Sequence, residues 1–366
     1  MQFALIPRIL RHTFRSFRRL DSNIRRILIV RTDRIGDVIL TLPMARALKK
    51  NSPSVRIALL IQRYTSEIVE SDPAVDQIIH YDDGKRSLVF FDLVTMLRRE
   101  RFDVVFHTHP RFRAALMTWF ARIPIRVGTG YRWYSFLFNR KVFEHRKDAK
   151  KHELEYNLSL LGSVGLNTDG DSIAPTLDVK PQTLDSVRSF LSRLGVREKE
   201  RIVIIHPGSG GSARDWSAKN FGLLGRRIRT LPGVRVIITG GESEEILANQ
   251  VRDLSGDGTL VVIDRLNLRE YAALAKLASL FVANSTGPLH IAAGVGTPVI
   301  GLYPQIAPLS ATRWGPYTQK KKIFSPVGMP ADCTKCLASK VDACECMDSI
   351  SVEQVFEAAR AYLNAD

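Results

Sequence analysis

The chain has 366 residues, of which 45% are hydrophobic and 25% charged, and a formal net charge of +16. This length exceeds the size at which one core usually keeps growing, so we expect two domains, and the ordinary composition excludes a disordered or collagen-like chain. No apolar run has the length of a bilayer crossing and no signal-peptide pattern is visible, so we expect a cytoplasmic protein. The excess of cations predicts an acidic partner.

Residues 1–23 predict a basic amphipathic helix, because residues 1–26 carry seven Arg and one acid. The apolar side chains that share one helical face are Phe3, Leu5, Ile6, Ile9, Leu10, Phe14, Phe17 and Leu20. Arginines 8, 11, 15, 18 and 19 fall on the opposite face. This pattern is typical of a helix lying in a membrane interface, which makes an anionic inner-membrane surface an expected partner. The alternatives are packing on the protein's own body and nucleic-acid binding, which the aliphatic face disfavours.

Two series of β-branched runs alternate with helical stretches and predict two doubly wound α/β halves. The first series has strands at Arg26–Arg31, Val55–Ile61, Gln77–Tyr81 and Val104–His107. The second has strands at Arg201–His206, Val234–Thr239, Leu260–Ile263, Leu280–Ala283 and Pro298–Tyr303. A polar stretch with Gly and Pro at about 167–182 is the candidate linker.

We therefore expect an N-terminal acceptor domain at 24–175, a C-terminal nucleotide-sugar domain at 176–350, and a helix at 351–366 that packs back on the N-terminal domain. Neither half carries G-x-x-x-x-G-K-[ST] or G-x-G-x-x-G, which disfavours a P-loop ATPase or an NAD dehydrogenase. In paired halves of this kind, ligands bind in the crevice at the carboxyl ends of the strands.

The loop after Arg201–His206 has the composition of an anion site. Its glycines allow backbone N–H groups to approach an anion, its serines add donors and its arginine adds a cation. The residues concerned are Ser209, Gly210, Gly211, Ser212 and Arg214. A flexible strand-to-helix turn has a similar composition, which is the alternative interpretation.

A second loop, after Leu280–Ala283, predicts a helix N-terminus facing the same crevice, where the helix dipole favours phosphate. Its candidates are Ser285, Thr286, Gly287 and, one turn into the helix, His290. After Val234–Thr239, Glu244 or Glu242 is positioned to accept from a ribose hydroxyl. A structural role at a helix start is the alternative for both acids.

Four segments, in this order and at these separations, resemble glycosyltransferase family 9, the family of ADP-heptose:lipopolysaccharide heptosyltransferases. They are RTDRIGDVILTLP (31–43), HPGSGGSARDW (206–216), GGESEE (240–245) and NSTGPLHIAA (284–293). The resemblance spans about residues 25–362. It implies a GT-B fold, two Rossmann-like domains facing across a cleft, and inverting transfer that requires no metal or other cofactor.

The resemblance also implies site roles and substrates. Asp37, beside Gly36 in the first loop, corresponds to the family's proposed general base, which takes the acceptor proton; an N-cap is the alternative role. The implied donor is ADP-heptose or another nucleotide diphosphate sugar, and the implied acceptor is the lipopolysaccharide inner core. Many relatives have Lys at the position of Arg214 and Asp at that of Ser285, and these two departures from the family pattern bear on which sugar is transferred.

The stretch 98–152 is strongly basic, with fourteen Lys and Arg against four acids. The resemblance places acceptor recognition in this half, and Arg side chains suit a phosphorylated or carboxylated glycolipid. His109 and Arg113, just past the strand Val104–His107, are the acceptor candidates. The alternative is a solvated basic surface, and no nucleic-acid module is visible.

Four cysteines lie within fourteen positions, at Cys333, Cys336, Cys344 and Cys346. The Cys-x-x-Cys half is typical of a zinc knuckle, whereas the Cys-x-Cys half is cramped for structural zinc. A weak zinc site is one interpretation, and free thiols or a labile disulfide are the other.

Three functions remain open from the sequence. We expect a glycosyltransferase that works as a peripheral protein on the inner face of the inner membrane. The alternatives are a non-catalytic module that binds sugar nucleotides or anionic glycans, and a nucleotide-sugar epimerase on the same scaffold.

Overall fold

The computed structural model describes residue 20 and residues 23–166, 174–326 and 345–364. Within them, twelve strands form two six-stranded sheets. The first sheet has the order β3-β2-β1-β4-β5-β6 and the second has the order β12-β11-β10-β7-β8-β9. Every strand pair within these sheets is parallel.

The strands of the first sheet are β1 Arg26–Arg31, β2 Arg56–Ile61, β3 Gln77–His80, β4 Val104–His107, β5 Ile125–Thr129 and β6 Arg140–Val142. Its helices are α1 Ile35–Ile39, α2 Leu42–Asn51, α3 Ser66–Val69, α4 Phe90–Glu100, α5 Phe112–Phe120 and α6 Glu153–Ser159.

The strands of the second sheet are β7 Arg201–His206, β8 Val234–Gly240, β9 Leu260–Ile263, β10 Leu280–Asn284, β11 Val299–Leu302 and β12 Lys321–Phe324. Its helices are α7 Pro181–Arg193, α8 Ala218–Arg229, α9 Glu245–Ser255, α10 Leu268–Leu277, α11 Gly287–Gly294, α12 Ala311–Trp314, α13 Glu345–Asp348 and α14 Val352–Leu363.

Strand β1 shows why the central strands are continuous apolar runs. Ile27 and Ile29 face one core, whereas Leu28 and Val30 face another, which also contains buried residues of α4 and α5. Both faces of the strand are covered, so every position favours a β-branched or aliphatic side chain. The core that contains Ile27 continues into the second half through Ile202 and Ile204 of β7, and the facing layers of the two halves therefore pack as one cluster.

The C-terminal helix α14 packs on the second sheet. It contacts α8, β10 and β11, and Val355 and Phe356 lie in the same core as Trp216. Our expectation that this helix packs back on the N-terminal half is therefore wrong. Its apolar face packs against the second sheet, whose strands immediately precede this helix in the chain.

None of the helices in the described ranges has both the length and the apolar character that a membrane crossing requires. The basic segment 1–19 and three of the four clustered cysteines lie outside the described residues, so the interfacial-helix and zinc predictions remain predictions.

Candidate active site

In each sheet the strand order reverses beside a central strand, and the loop that follows this strand is one of those predicted to form the site. In the first sheet β1 lies between β2 and β4, and in the second β7 lies between β8 and β10. A parallel sheet opens a crevice at such a switch point, because the connections on either side leave in opposite directions. The loops after β1, β4, β7 and β10 therefore meet at one cleft between the halves.

That cleft contains a cavity of about 430 Å³, large enough for part of a small ligand. The residues contributed by the first half are Arg31, Asp33, Arg34, Gly36, Asp37, His109, Lys147 and Glu153. Those contributed by the second half include Ser212, Ser285, Thr286, Gly287, His290, Arg313 and Trp314.

Asp37 lies in the first turn of α1, with its carboxylate against the guanidinium of Arg31. The N-cap of α1 is Arg34, so the alternative that Asp37 is the N-cap is wrong. Its backbone carbonyl accepts a hydrogen bond from Thr41 Oγ1 at 2.8 Å, which ties Asp37 to the residue that precedes α2. The carboxylate is thus held at the edge of the cavity by an ion pair and by its backbone.

Burial raises the pKa of Asp37 above its usual value. Arg31 opposes this shift, whereas the neighbouring carboxylates Asp33 and Glu153 add to it. Asp33 behaves in the opposite way, because Arg31 and His109 outweigh its burial and lower its pKa. Two nearby carboxyl groups therefore differ in proton affinity, which is the arrangement that separates a base from a permanent anion.

Glu153 is the centre of a buried charge network. Its Oε1 accepts from Arg31 at 3.0 Å and from Arg146 at 2.6 Å, and its Oε2 lies 3.1 Å from Arg313 of the second half. These guanidiniums hold the pKa of Glu153 below its usual value despite burial. The network fixes Arg31, and through Arg31 it fixes the position of Asp37.

The loop after β7, predicted to bind an anion, is held by hydrogen bonds within itself and to the neighbouring loop. Ser212 Oγ donates to the carbonyl oxygens of Ser209 at 2.7 Å and Ser285 at 3.1 Å, which joins this loop to the one after β10. Ser209 Oγ is buried and has no hydrogen-bond partner among the described residues. Gly210 and Gly211 have φ of +54° and +69°, conformations that favour glycine. Arg214 is partly buried in the same loop.

Asn284 braces this loop from the end of β10. Its Nδ2 donates to Pro207 O at 2.7 Å and its Oδ1 accepts from Trp216 N at 3.0 Å. One fully buried amide therefore holds both ends of the glycine-rich segment. These two bonds fix the shape of the loop.

The helix after β10 starts at the cavity. Thr286 is the N-cap of α11 and Gly287 its first residue, so the N–H groups of the first turn point toward the cleft. Burial lowers the pKa of His290 to about 3, and His290 is therefore neutral and able to donate one hydrogen bond.

Helix α1 of the first half and helix α11 of the second half approach each other closely at a glycine in each. A Cβ atom on Gly36 would lie 2.7 Å from His290 Cδ2, and one on Gly287 would lie 2.3 Å from Ile35 Cγ2. Neither side chain fits without displacement of its neighbour. Gly36, predicted to act on the donor side, lies at this contact between α1 and α11 and also lines the cavity.

Glu244 lies beside the glycine-rich loop. Its two oxygens accept from Gly210 N at 3.1 Å and Gly241 N at 3.0 Å, and it lies 3.6 Å from His206 Nε2. Burial lowers the pKa of His206 to about 4, which keeps this imidazole neutral. Glu242, the alternative acid, is exposed on the start of the same turn.

The two acceptor candidates lie in different places. His109 lines the cleft, with its Nδ1 2.9 Å from Asp33 Oδ2. Arg113 instead donates to Leu88 O and lies over the rings of Tyr81 and Phe90, 5.0 and 5.9 Å from their centroids. The observed contacts of Arg113 thus bind α5 to the segment before α4.

A second cavity of about 530 Å³ adjoins the first and is lined mainly by the N-terminal half, with Arg313 contributed by the second half. Its cationic and imidazole lining consists of His107, His109, Arg132, His145, Arg146, Lys147 and Arg313. It shares His109, Lys147, Glu153 and Arg313 with the first cavity. The two cavities together form one path from a basic chamber to Asp37.

Several of these residues did not emerge from sequence reasoning. Arg31 was detectable, because a charged residue ends an otherwise apolar central strand. Glu153, Arg146 and Arg313 carry no local signal, since they meet only when distant segments pack together.

Comparison with known proteins agrees with this geometry. Residues 90–343, well over half of the chain, match the sequence profile of glycosyltransferase family 9 (heptosyltransferase). Lipopolysaccharide heptosyltransferase 3 of Escherichia coli is 26% identical over 279 residues, which cover 73% of this chain and 80% of the relative.

Two solved structures are similar in fold. A family 9 glycosyltransferase from Veillonella parvula has a TM-score of 0.82 and 22% identity, covering 93% of this chain and 98% of that one. The ADP-heptose lipopolysaccharide heptosyltransferase II of E. coli has a TM-score of 0.76 and 19% identity, covering 92% and 98%.

The two facing Rossmann-like halves define a GT-B protein, as the sequence predicts. The chain is a glycosyltransferase, and it belongs to glycosyltransferase family 9 (heptosyltransferase).

Proposed function

We propose that this protein transfers heptose from ADP-heptose to a lipopolysaccharide inner-core acceptor, with inversion and without a metal. The names of its relatives supply the substrates, since one is a lipopolysaccharide heptosyltransferase and another an ADP-heptose lipopolysaccharide heptosyltransferase. The protein works on the cytoplasmic face of the inner membrane, where a lipid-linked acceptor is accessible.

The observation that carries the proposal is the position and proton affinity of Asp37. A carboxylate with a raised pKa, at the edge of the cavity and opposite the anion-site loops, is suited to remove the acceptor hydroxyl proton. Arg31 stabilises its ionised form and orients it. The acceptor oxygen then attacks the anomeric carbon from the side opposite the leaving diphosphate, which inverts the configuration.

The donor diphosphate lies on the second half in this proposal. Arg214, the N-terminus of α11 at Thr286 and Gly287, and the hydroxyl of Ser212 once it leaves its carbonyl partners stabilise the charge that develops on the leaving group. These hydrogen-bond donors and the guanidinium stabilise the leaving diphosphate, as a bound metal ion does in metal-dependent transferases. Glu244 accepts a hydrogen bond from a ribose hydroxyl in place of one of its present backbone donors, such as Gly210 N. It ends the short 3-10 turn that begins at Glu242.

The acceptor enters through the basic chamber beside Asp37. His109 lies between the two cavities, and Arg132, Arg146 and Lys147 line the chamber. Carboxylate or phosphate groups on an inner-core sugar match these cations. In this proposal the acceptor is bound by these cavity-lining residues and not by Arg113, which lines neither cavity.

Asp37→Asn tests the proposal in the full-length protein. A positioned base contributes about 10²–10⁴-fold, so we expect transfer to fall by that factor, while calorimetric binding of ADP-heptose is retained. Asp185→Asn, on the exposed side of α7, is the matched control and keeps full activity. Normal transfer by Asp37→Asn would refute the mechanism.

The same assay separates the alternative functions. ADP release or conversion of the sugar without any acceptor indicates an epimerase or hydrolase, whereas binding without turnover in the unmodified protein indicates a binding module. Acceptor-dependent release of ADP supports transfer.

A further inference from the structure

Helix α5 presents an apolar stripe to solvent. Phe112, Trp119 and Phe120 are 40%, 47% and 38% exposed, and Leu116 is partly exposed. These positions follow the spacing i, i+4, i+7 and i+8, which places them on one face of a helix. The opposite side of α5, with Ala114 and Met117, is already buried on the sheet. The helix is therefore apolar on both sides but covered on only one.

Aromatic side chains extend the stripe at both ends. Next to Phe112 lies Trp133, with ring centroids 4.8 Å apart, and Trp133 is 74% exposed. At the other end, Phe120 contacts Phe90 at 6.0 Å, and Phe90 contacts the exposed Phe91 at 5.2 Å. We call the exposed side chains of Phe91, Phe112, Leu116, Trp119, Phe120 and Trp133 the aromatic face. A continuous apolar surface of this kind marks an interaction site.

The charges around the aromatic face are mostly positive. From residue 104 to residue 143 the sequence contains seven Lys and Arg and no acid. Arg111, Arg122, Arg140 and Lys141 are exposed within this stretch, and Arg98 of α4 donates to Phe120 O. Asp92, on α4, is the exposed acid beside Phe91. Aromatic rings interleaved with cations match the interface of an anionic bilayer.

Electrostatics disfavours two other occupants. A second copy of this chain would place cations opposite cations. The segment 1–26 of the same chain carries seven Arg against one acid, so it is repelled in the same way. An anionic lipid surface provides both an apolar layer for the rings and negative headgroups for the cations.

The aromatic face is also continuous with the basic chamber. Tyr131 and Arg132, which directly precede Trp133, line the second cavity. A bilayer seated on the face would therefore lie next to the entrance used by the acceptor. Membrane binding at the aromatic face would therefore bring a lipid-linked acceptor close to the cavity.

We propose that the aromatic face docks this protein onto an anionic membrane and holds the acceptor cavity against the lipid surface. The inference rests on the proposed function, since it explains how a lipid-linked acceptor reaches Asp37. It assigns membrane contact to the folded N-terminal half, in addition to the basic segment at residues 1–19.

Tryptophan fluorescence tests the proposal directly. The chain has four Trp: Trp119 and Trp133 on the aromatic face, and Trp216 and Trp314 in the second half. Residues 1–26 contain no Trp, so insertion of that segment alone leaves the signal unchanged. Vesicles of phosphatidylcholine with 30% brominated phosphatidylglycerol should quench the full-length protein, and Trp119→Phe/Trp133→Phe should abolish most of the quenching. Equal quenching in that variant would overturn the proposal.

Vesicle affinity provides the second measurement. Trp119→Ser/Trp133→Ser should weaken binding to the same vesicles without bromine by at least about tenfold, because two large aromatic surfaces are no longer buried. The control Ile246→Ser removes a side chain that is 86% exposed on α9 and should bind like the unmodified protein. Unchanged affinity of the double variant, or a dimer in light scattering that the same variant dissociates, would overturn membrane docking.

Activity separates this inference from the proposed function. The double serine variant should keep its rate on a de-acylated, water-soluble acceptor and lose at least about tenfold on the acceptor embedded in vesicles, as its membrane affinity falls. If the unmodified protein transfers to neither acceptor, the proposed function fails, and the quenching result still decides whether the face binds membranes.

Discussion

Glu153→Gln removes the negative centre of the buried charge network and keeps the shape of the side chain. Glu153 is 2% exposed and faces the guanidiniums of Arg31, Arg146 and Arg313 at 2.6–3.1 Å. Breaking a buried ion pair from one side costs about 3–5 kcal/mol, because uncompensated charge stays buried. At roughly 2–4 °C per kcal/mol for a domain of this size, we expect Tm to fall by roughly 10 °C.

The effect has a defined pH dependence. The pKa of Glu153 in the folded protein is lower than its ordinary value of 4.5, so its stabilisation is present above pH 4.5 and is lost as pH falls through the lowered value. Thermal unfolding followed from pH 8 down to pH 4 should show a constant deficit in the variant near neutrality. The deficit should shrink at the acid end of the range.

Glu200→Gln is the matched control. Glu200 pairs with Arg235 near the surface, at 2.9 Å, where solvent screening leaves about 1 kcal/mol or less. If Glu153→Gln unfolds within about 2 °C of the unmodified protein while Glu200→Gln behaves as expected, the network does not stabilise the fold and our account of Arg31 fails.

Two further predictions concern the cleft. Gly36→Ala should destabilise the protein by about 1–3 kcal/mol and raise KM for the donor, because the new methyl group overlaps His290. The control Gly162→Ala should do neither, because among the described residues its Cβ meets nothing within 4 Å apart from its chain neighbours and the backbone of its own helical turn. Equal Tm values for the two variants would contradict the close contact. Asp37→Asn should raise Tm at pH 8, because a carboxyl group whose pKa is raised by folding destabilises the folded protein when it is ionised. The gain in Tm should vanish as pH falls below the ordinary pKa of 3.8, where the carboxyl group is protonated in both the folded and the unfolded protein. A lower Tm of the variant at pH 8 would refute the raised pKa.

Three of the four strands that the sequence predicts with the correct bounds are buried central ones, and the fourth, Leu260–Ile263, is an apolar edge strand. Arg26–Arg31, Val104–His107, Arg201–His206 and Leu260–Ile263 have the predicted bounds, and most of the other predicted strands differ by one residue at an end. The apolar runs of the three central strands reflect burial on both faces. The strands β5, β6 and β12 were not predicted, since IRVGT, RKV and KKIF mix charge or Gly into short segments at or near sheet edges.

Some residues of the candidate site could likewise be predicted from the sequence, whereas others could not. Loops directly after central strands were predictable, because strand order alone brings the segments at Asp37, Ser212 and Thr286 to one cleft. The charge network around Arg31 was not predictable, since Glu153 lies 122 positions from Arg31 in sequence. Arg113 shows the reverse error: its position after a strand suggested the cleft, whereas neighbouring rings and a carbonyl hold its side chain against α4.

The contact between Gly36 and Gly287 constrains how enzymes of this architecture can be recombined. Each glycine is required by a residue of the other half, so the two loops form a matched pair although they lie 251 positions apart. A chimera that takes its acceptor half from one family member and its donor half from another inherits one surface of this contact from each parent. Parents that both carry glycine here are compatible without repair, whereas a parent with any side chain at either position needs a compensating change in the opposite loop. Exchange of donor specificity between family members is therefore best begun from pairs that share both glycines.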